Sequence, residues 1–223
     1  MTSDGNKTFL KKFSIDYNNL QKELYEKNMI RDSKSYSVIE NKDISEISRS
    51  GRKNESNILY DKHLSVEKIM STLLERKEYN ILLYDRSIIQ YDFMIKDGKI
   101  IKERLTFIKK HNYLWTKEEI SNMDINNFET DWFDNEMGIP VMIRVDYDED
   151  NHIDVIHPIT HMTLSNYDEC RIPMMGPISL YNFIDFILNF FYDDRLDFKS
   201  KFEKNDITIT ENEKKRIHLE WQL

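Results

Sequence analysis

The chain has 223 residues, 39% of them hydrophobic, and a formal net charge of −8 at pH 7. This length and apolar content suffice for one sizeable core. The acidic balance argues against a general nucleic-acid binder, because such binding depends on Lys and Arg side chains that neutralise phosphates. Apolar runs such as residues 184–188 are far shorter than the roughly 20 residues of a transmembrane helix. The lone Cys170 cannot form an internal disulfide and the first residues hold no signal-type apolar run, so we expect a cytoplasmic protein without membrane contact.

The first third of the chain is predicted to hold two helices joined by a polar segment. Residues 15–30 repeat leucines at helical spacing. Residues 31–56 are rich in Ser, Asn and Lys, which predicts a mobile polar loop. Ser65 is suited to cap a second helix over residues 66–77.

An antiparallel sheet is predicted for the middle of the chain. Residues 81–84 are a predicted strand, and apolar residues alternate along residues 89–95 and 101–107. The Asp97-Gly98 pair between these two runs is a strong hairpin signal, because Gly tolerates the positive φ that two-residue turns need. The alternation returns over residues 141–147.

The following segment is predicted to contain short strands and a buried helix. Residues 148–151 indicate a turn, and residues 152–157 and 161–165 are predicted strands. Ser179 is suited to cap a helix over residues 180–192, and this helix should be buried because it is apolar nearly all round.

Two further helix starts are indicated by capping boxes. Thr116 and Thr210 are each followed three positions later by Glu, which is the pattern of a helix N-terminus. The second of these helices is expected to end near Trp221, after a short strand at residues 207–209.

These elements predict a single α+β domain over residues 1–223. We expect an antiparallel β-meander of about five strands packed by helices, with a buried helix near residues 179–192. In this scheme residues 31–56 are the mobile loop, and residues 205–223 form a C-terminal strand and helix.

The stretch over residues 157–171 concentrates groups that bind metals or anions or that move protons. Two histidines four residues apart share one face of a helix, but the proline after His157 disfavours a helix there. On a bent strand, His157 and His161 can still converge on a metal, with Cys170 or Asp146 as a third ligand. We favour histidines that are hydrogen-bonded to the backbone or to the acidic turn over this metal site.

No cofactor is predicted. The acidic turn at residues 148–151 lacks the glycine and the distal glutamate of an EF-hand loop. With five glycines in the whole chain, neither a P-loop nor a dinucleotide-binding glycine motif is present.

Metal-independent phosphodiester chemistry is the sharpest enzymatic hypothesis. It needs a general base, a general acid and a cation that holds the phosphate. His157 and His161 suit the proton transfers, because imidazole titrates near neutrality. Arg144 and Arg171 suit the phosphate, since guanidinium binds it bidentately, and Asp146 would orient one histidine. The alternative for Arg144 and Asp146, which share a strand face, is an ion pair that braces the sheet.

Basic residues also recur in the predicted hairpin. We expect a solvated sheet edge here rather than a nucleic-acid patch. The residues are Lys96, Lys99, Lys102, Arg104, Lys109 and Lys110.

Three runs carry a resemblance to a known family. They are Ile-Arg-Val-Asp-Tyr at 143–147, His-Pro-Ile-Thr-His at 157–161 and Cys-Arg-Ile-Pro at 170–173. Together with the helix that follows, they resemble the bacterial family named "domain of unknown function twenty-two-ninety", most strongly over residues 141–192. The resemblance implies a bacterial protein, often from mobile or defence-associated gene neighbourhoods. The Arg-x-Asp strand followed by a histidine-rich strand is also distantly similar to TumE-type toxins, although their adjacent histidine pair is absent here.

Two functions are therefore expected as alternatives. The first is a component of a phage-defence or toxin-like system, a metal-independent nuclease or phosphodiesterase that acts on nucleic acid or nucleotide. The second is a non-enzymatic regulatory or adaptor subunit, in which the Arg and His side chains satisfy buried carbonyls and Cys170 belongs to the core. A protein partner from the same operon is expected in either case.

Overall fold

The computed structural model describes residues 3–50, 58–110, 140–166, 170–202, 207–216 and 218–220. Within these ranges the chain forms nine strands in one antiparallel sheet, four α-helices and a 3-10 turn at Ile58–Tyr60. The helices are α1 (Asp4–Glu26), α2 (Val66–Arg76), α3 (Leu180–Tyr192) and α4 (Glu211–Lys214). The strands are β1 (Ile30–Ser33), β2 (Tyr36–Asn41), β3 (Ile44–Arg49), β4 (Ile81–Leu83), β5 (Ile88–Lys96), β6 (Lys99–Lys110), β7 (Pro140–Asp148), β8 (Thr160–Leu164) and β9 (Arg171–Pro173). The predicted α+β class is confirmed, and the sheet is larger than expected.

The sheet is a meander in its main part. Strands β4 to β9 lie side by side in chain order, and the β2–β3 hairpin pairs through β3 with the end of β5 that β4 leaves open. Asp97 and Gly98 join β5 to β6 with φ values of 50° and 77°, which confirms the predicted two-residue turn. This turn touches α1 so closely that a Cβ on Gly5 would lie 2.7 Å from the carbonyl carbon of Asp97.

The two faces of the sheet differ in what covers them. One face carries Tyr91, Phe107 and Val145, all fully buried, in the main core with α1 and α3. The other face carries Ile108 and Met142, which pack with α2 in a smaller core. Because α2 is short, it covers only part of that second face, and the rest carries polar side chains.

Helices α2 and α3 follow the predictions, whereas α1 (Asp4–Glu26) differs from the predicted residues 15–30 at both ends. Helices α2 and α3 begin after the predicted N-caps, Ser65 and Ser179. Helix α1 begins well before its predicted start, with Ser3 as its N-cap. Phe9 and Phe13 extend its buried face, but the lysines and asparagines around them weaken the apolar pattern in the sequence.

The predicted mobile loop at residues 31–56 is wrong for residues 31–50, which contribute to β1, β2 and β3. Ile47 is fully buried in β3, and Ser45 and Ser48 are buried beside it. These small polar residues fit against β5 and obscure the strand pattern in the sequence. Residues 51–56 lie outside the described residues.

The predicted strand at residues 152–157 is also wrong. This segment is a tight turn with a single bridge between Ile153 and His157. At its centre Val155 has a φ of 71°, a left-handed conformation that a β-branched residue rarely adopts. We refer to residues 149–159 as the His157 loop.

The C-terminal predictions are met in part. The Thr210–Glu213 capping box is present, and α4 that follows it is four residues long. Residues 207–209 form no strand; the Thr208 N–H instead donates to the Met175 carbonyl at 2.8 Å. The predicted helix end near Trp221 is wrong, because α4 ends at Lys214 and residues 218–220 are not helical. The capping box at Thr116 falls outside the described residues.

The basic hairpin is not the sheet edge that we expected, because β5 and β6 are central strands. Its side chains pair with carboxylates on neighbouring elements: Lys96 with Asp43 (2.8 Å), Lys102 with Asp148 (2.7 Å), Lys109 with Asp85 and Lys110 with Glu67 (2.9 Å). Of the helices in the described ranges, none has the length and apolar character needed to cross a membrane.

Candidate active site

A cleft of about 550 Å³ opens on the sheet face that α2 leaves uncovered. It contains all five residues that the sequence singled out for chemistry, drawn from three strands and the His157 loop. The lining consists of Tyr60, Lys102, Glu103, Arg104, Arg144, Asp146, Tyr147, Asp148, Asn151, Ile153, Ile156, His157, His161 and Arg171.

The sheet register explains why these residues meet. Arg104, Asp146 and His161 lie directly opposite one another across β6, β7 and β8. Two residues away along these strands, Arg144 of β7 lies opposite Thr163 of β8, and Thr163 lies opposite Arg171 of β9. Since side chains two apart in a strand share a face, both rows point into the cleft.

Asp146 is the centre of a compact polar network. Its carboxylate accepts a hydrogen bond from the Tyr60 hydroxyl at 3.0 Å and lies 3.5 Å from the Arg104 Nε and 3.6 Å from the Arg144 Nε. The two guanidinium carbons lie 4.5 Å and 4.3 Å from the centre of the Tyr60 ring, at cation–π distance. Burial, followed by the nearby Asp146 charge, raises the pKa of Tyr60, so the phenol stays protonated.

Arg144 lines the cleft, but its hydrogen bond and ion pair are made within this network. Its side chain is 3% exposed, and its Nη1 donates to the Leu59 carbonyl at 2.9 Å. The alternative predicted for Arg144 and Asp146, an ion pair that braces the sheet, is what the structure shows. The predicted role of Asp146 in orienting a histidine is not seen, because its carboxylate contacts Tyr60 and the arginines.

Backbone carbonyls orient the two histidines instead. His157 Nδ1 lies 2.6 Å from the Asn151 carbonyl oxygen, and His161 Nδ1 lies 2.9 Å from that of Pro158. A carbonyl only accepts, so each Nδ1 carries the proton and each neutral ring keeps its lone pair on Nε2. The ring centres are 4.8 Å apart, with the planes tilted by 57°.

The two histidines differ in their environment. His161 is 3% exposed, and burial lowers its pKa below the usual value, against the opposing effect of Asp146. The nearby His157 and Arg171 lower the pKa further. His161 is therefore neutral at pH 7, while His157 is partly exposed on its loop.

Arg171 is the cation that the network leaves available. It is half-buried in β9, and it makes no ion pair with any part of the chain that the structure describes. Lys102, by comparison, is held by Asp148 at 2.7 Å. Of the two arginines predicted to bind phosphate, Arg144 is held by buried contacts and Arg171 is half-buried; the phosphate-binding role of both stays a prediction.

The predicted metal ligands do not assemble around the histidine pair. Cys170 is a free cysteine that does not line the cleft. In the described ranges, a group of three ligand atoms within 4.8 Å of one another occurs at His152 and Asp154 of the His157 loop and Glu213 of α4, outside the cleft lining. Its carboxylates already accept hydrogen bonds, such as the one from the Val155 N–H to Glu213 at 3.3 Å.

A family model matches residues 29–221, with the description "uncharacterized conserved protein (DUF2290)". The chain belongs to the DUF2290 family. The match covers every strand and the whole cleft lining, whereas α1 precedes it. Searches of the curated proteins and of the solved structures found no match. The DUF2290 description assigns no activity, and the similarity to TumE-type toxins stays a prediction.

Sequence reasoning missed Tyr60, Lys102 and Arg104 in this DUF2290 site. The two basic residues had a signal, because they alternate along β6 as Asp146 and Asp148 alternate along β7. Tyr60 had none, since its hydrogen bond to Asp146 spans 86 positions.

Proposed function

We propose that this DUF2290 protein cleaves phosphodiester bonds in a nucleic acid or nucleotide, with His157 and His161 as the proton-transfer pair. The observation that carries the proposal is the pairing of two imidazoles, each with Nδ1 held by a carbonyl and Nε2 left as its acid–base atom. Metal ligation is not part of the proposed mechanism.

The pair favours one proton shared between two rings. Two imidazolium charges at a ring separation of 4.8 Å repel each other, so the second proton binds less readily than the first. The buried His161 is the neutral member and serves as general base. His157, on the exposed side, serves as the general acid in this proposal.

Arg171 holds the phosphate in this proposal. It adjoins His161 closely enough to lower the pKa of that ring, and it faces the same cleft. Guanidinium stabilises the charge that develops on the phosphate oxygens in the transition state. Tyr60, Arg104, Arg144 and Asp146 form the rigid wall against which the ligand is oriented.

His161→Asn is the sharpest test of the proposal. The Asn Nδ2 takes the position of the histidine Nδ1 and can keep the hydrogen bond to the Pro158 carbonyl, while Nε2 is removed. With a mixture of RNA, DNA and cyclic nucleotides as substrate, we expect the variant to lose about 100-fold or more of the cleavage rate seen by mass spectrometry.

The matched control is His63→Asn, since His63 is exposed and does not line the cleft. It should keep full activity, and both variants should keep the melting temperature of the wild type. Unchanged cleavage by His161→Asn, or no cleavage of any substrate by the wild-type protein, would overturn the proposal.

A second candidate function is a non-enzymatic adaptor that binds a protein partner. The adaptor hypothesis predicts that Arg and His side chains satisfy buried carbonyls. Two such contacts favour it: Arg144 with the Leu59 carbonyl and His161 with the Pro158 carbonyl. In that case the wild-type protein cleaves nothing, His161→Ala loses stability, and His161→Asn still copurifies with the partner.

The biological setting that we propose is a bacterial defence or toxin-like system in the cytoplasm, with a partner from the same operon. This setting follows from the family resemblance. Induced expression should then slow bacterial growth, and His161→Asn should relieve that effect at equal protein level.

A further inference from the structure

The chemistry available in the cleft narrows the substrate class, on the assumption that the proposed function holds. The cleft holds two imidazoles and Arg171 beside cations and carboxylates that pair with each other, such as Lys102 with Asp148 and Arg104 with Asp146. The group at His152, Asp154 and Glu213 lies outside the cleft lining. The mechanism therefore needs a nucleophile that a neutral imidazole can activate for attack on a phosphodiester.

A hydroxyl already held beside the phosphorus is the nucleophile that such a site suits. An intramolecular nucleophile has an effective concentration of about 10⁵–10⁸ M, because its approach costs no translational freedom. In a ribonucleotide, the 2′-hydroxyl occupies this position next to the 3′-phosphate. We infer that the substrate is a ribonucleotide phosphodiester whose own 2′-oxygen attacks the phosphorus.

The proton balance of this step uses both histidines once. The 2′-hydroxyl gives its proton to the Nε2 of neutral His161 as the 2′-oxygen bonds to phosphorus. The bond from phosphorus to the 5′-oxygen breaks, and that oxygen takes the proton from the Nε2 of His157. The products are a 2′,3′-cyclic phosphate and a free 5′-hydroxyl, and exchange with water resets the two rings.

The spacing of the rings fits an in-line displacement. In two-metal sites, metal ions about 3.5–4 Å apart bind the attacking and the leaving oxygen of the same kind of reaction. Ring centres at 4.8 Å keep both imidazoles close enough to act on the two reacting oxygens of one phosphate. Arg171 faces the same space and can pair with the oxygens that do not react.

The rim and size of the cleft suit a short substrate. Ile153 and Ile156 on the His157 loop are 57% and 69% exposed at the rim, where they offer apolar contact to a base or ribose. A volume of about 550 Å³ lies within the range of small-molecule sites, roughly 300–1,000 Å³. Because the protein carries a net charge of −8, a long polyanion is repelled by the surface outside the cleft.

The test uses a mixture of every diribonucleoside monophosphate and two deoxy series. In one series the nucleoside that bears the 3′-phosphate lacks its 2′-hydroxyl, and in the other the leaving nucleoside lacks it. We expect cleavage of the all-ribo mixture and of the second series at rates within about tenfold. The first series should be cleaved about 100-fold more slowly or not at all.

Mass spectrometry of the products provides the second reading. The early product should be the cyclic phosphate, which is one water lighter than the phosphomonoester, and His161→Asn should not form it. Equal cleavage of both deoxy series, or a linear phosphate as the first product, overturns the ribose inference and leaves the proposed function standing. Absence of cleavage in all three mixtures and in the RNA, DNA and cyclic-nucleotide mixture overturns both.

Discussion

At the scale of single residues, Glu103 is a buried acid that forms no ion pair with a cation in the described part of the chain. It lies on the core face of β6, 2% exposed, and its Oε1 accepts a hydrogen bond from the Ile178 N–H at 3.1 Å. Burial raises its pKa well above the usual 4.5, and the nearby Asp146 charge adds to the rise. The folded protein therefore holds this proton more tightly than the unfolded chain.

The consequence is a pH dependence of stability with a known sign. Below about pH 4.5 both states are protonated and Glu103 costs nothing, and the folded state loses stability as pH rises toward the folded-state pKa. Glu103→Gln keeps the acceptor for Ile178 and removes the titration. We expect the variant to be more stable than the wild type at pH 8, with a higher urea midpoint, because it carries no group whose ionisation burial opposes.

Urea unfolding of the wild type and Glu103→Gln across pH 4–8 measures this difference. The two proteins should converge at pH 4 and separate as pH rises. Curves that stay parallel over the whole range would show that Glu103 is ionised in the folded protein.

At the scale of elements, Phe13 is one of the buried side chains that fasten α1 to the sheet. Phe13 is 3% exposed, and its ring centre lies 5.2 Å from that of Tyr36, 5.8 Å from Phe93 and 6.1 Å from Tyr91. Phe13→Ala leaves a cavity among these rings, so we expect it to cost about 3–5 kcal/mol. The control on the same helix is Tyr25→Ala, at a residue 74% exposed, which should cost less than about 0.5 kcal/mol in urea unfolding. Similar losses for both would mean that α1 is not docked through Phe13.

Elements were predictable from sequence where one physical pattern dominates. The alternation along β7 and the uniform apolar character of α3 identify those elements, because each buries its side chains in a regular way. The isoleucines of the His157 loop predict a strand over residues 152–157. The observed turn instead depends on the left-handed conformation of Val155, which the sequence does not indicate. Strand β3 was missed because its buried serines look like loop residues.

At the scale of the whole molecule, the site depends on the assembled sheet more than on any local motif. The Arg, Asp and His residues were identifiable by type, and alternation predicted which of them share a face. Their convergence, however, depends on the order of β6 to β9 and on the 3-10 turn that brings Tyr60 onto Asp146. The contact between Tyr60 and Asp146 cannot be predicted from spacing, because it joins residues 86 positions apart in the chain.

A ligand in such a site should stabilise the entire fold, because the cleft is built from four strands and two connecting segments. Binding to the folded state alone adds about 2.7 kcal/mol at a ligand concentration of 100 Kd. Inorganic phosphate is a simple probe, and for a chain of this length that gain corresponds to a rise of roughly 5–10 °C in melting temperature.

Arg171→Ala should abolish the rise, while Arg195→Ala, which removes an exposed arginine outside the cleft, should preserve it. The rise should shrink as sodium chloride is added at constant phosphate, since salt screens the attraction between Arg171 and the anion. An equal rise in both variants would place the phosphate outside the cleft and remove Arg171 from the proposed mechanism.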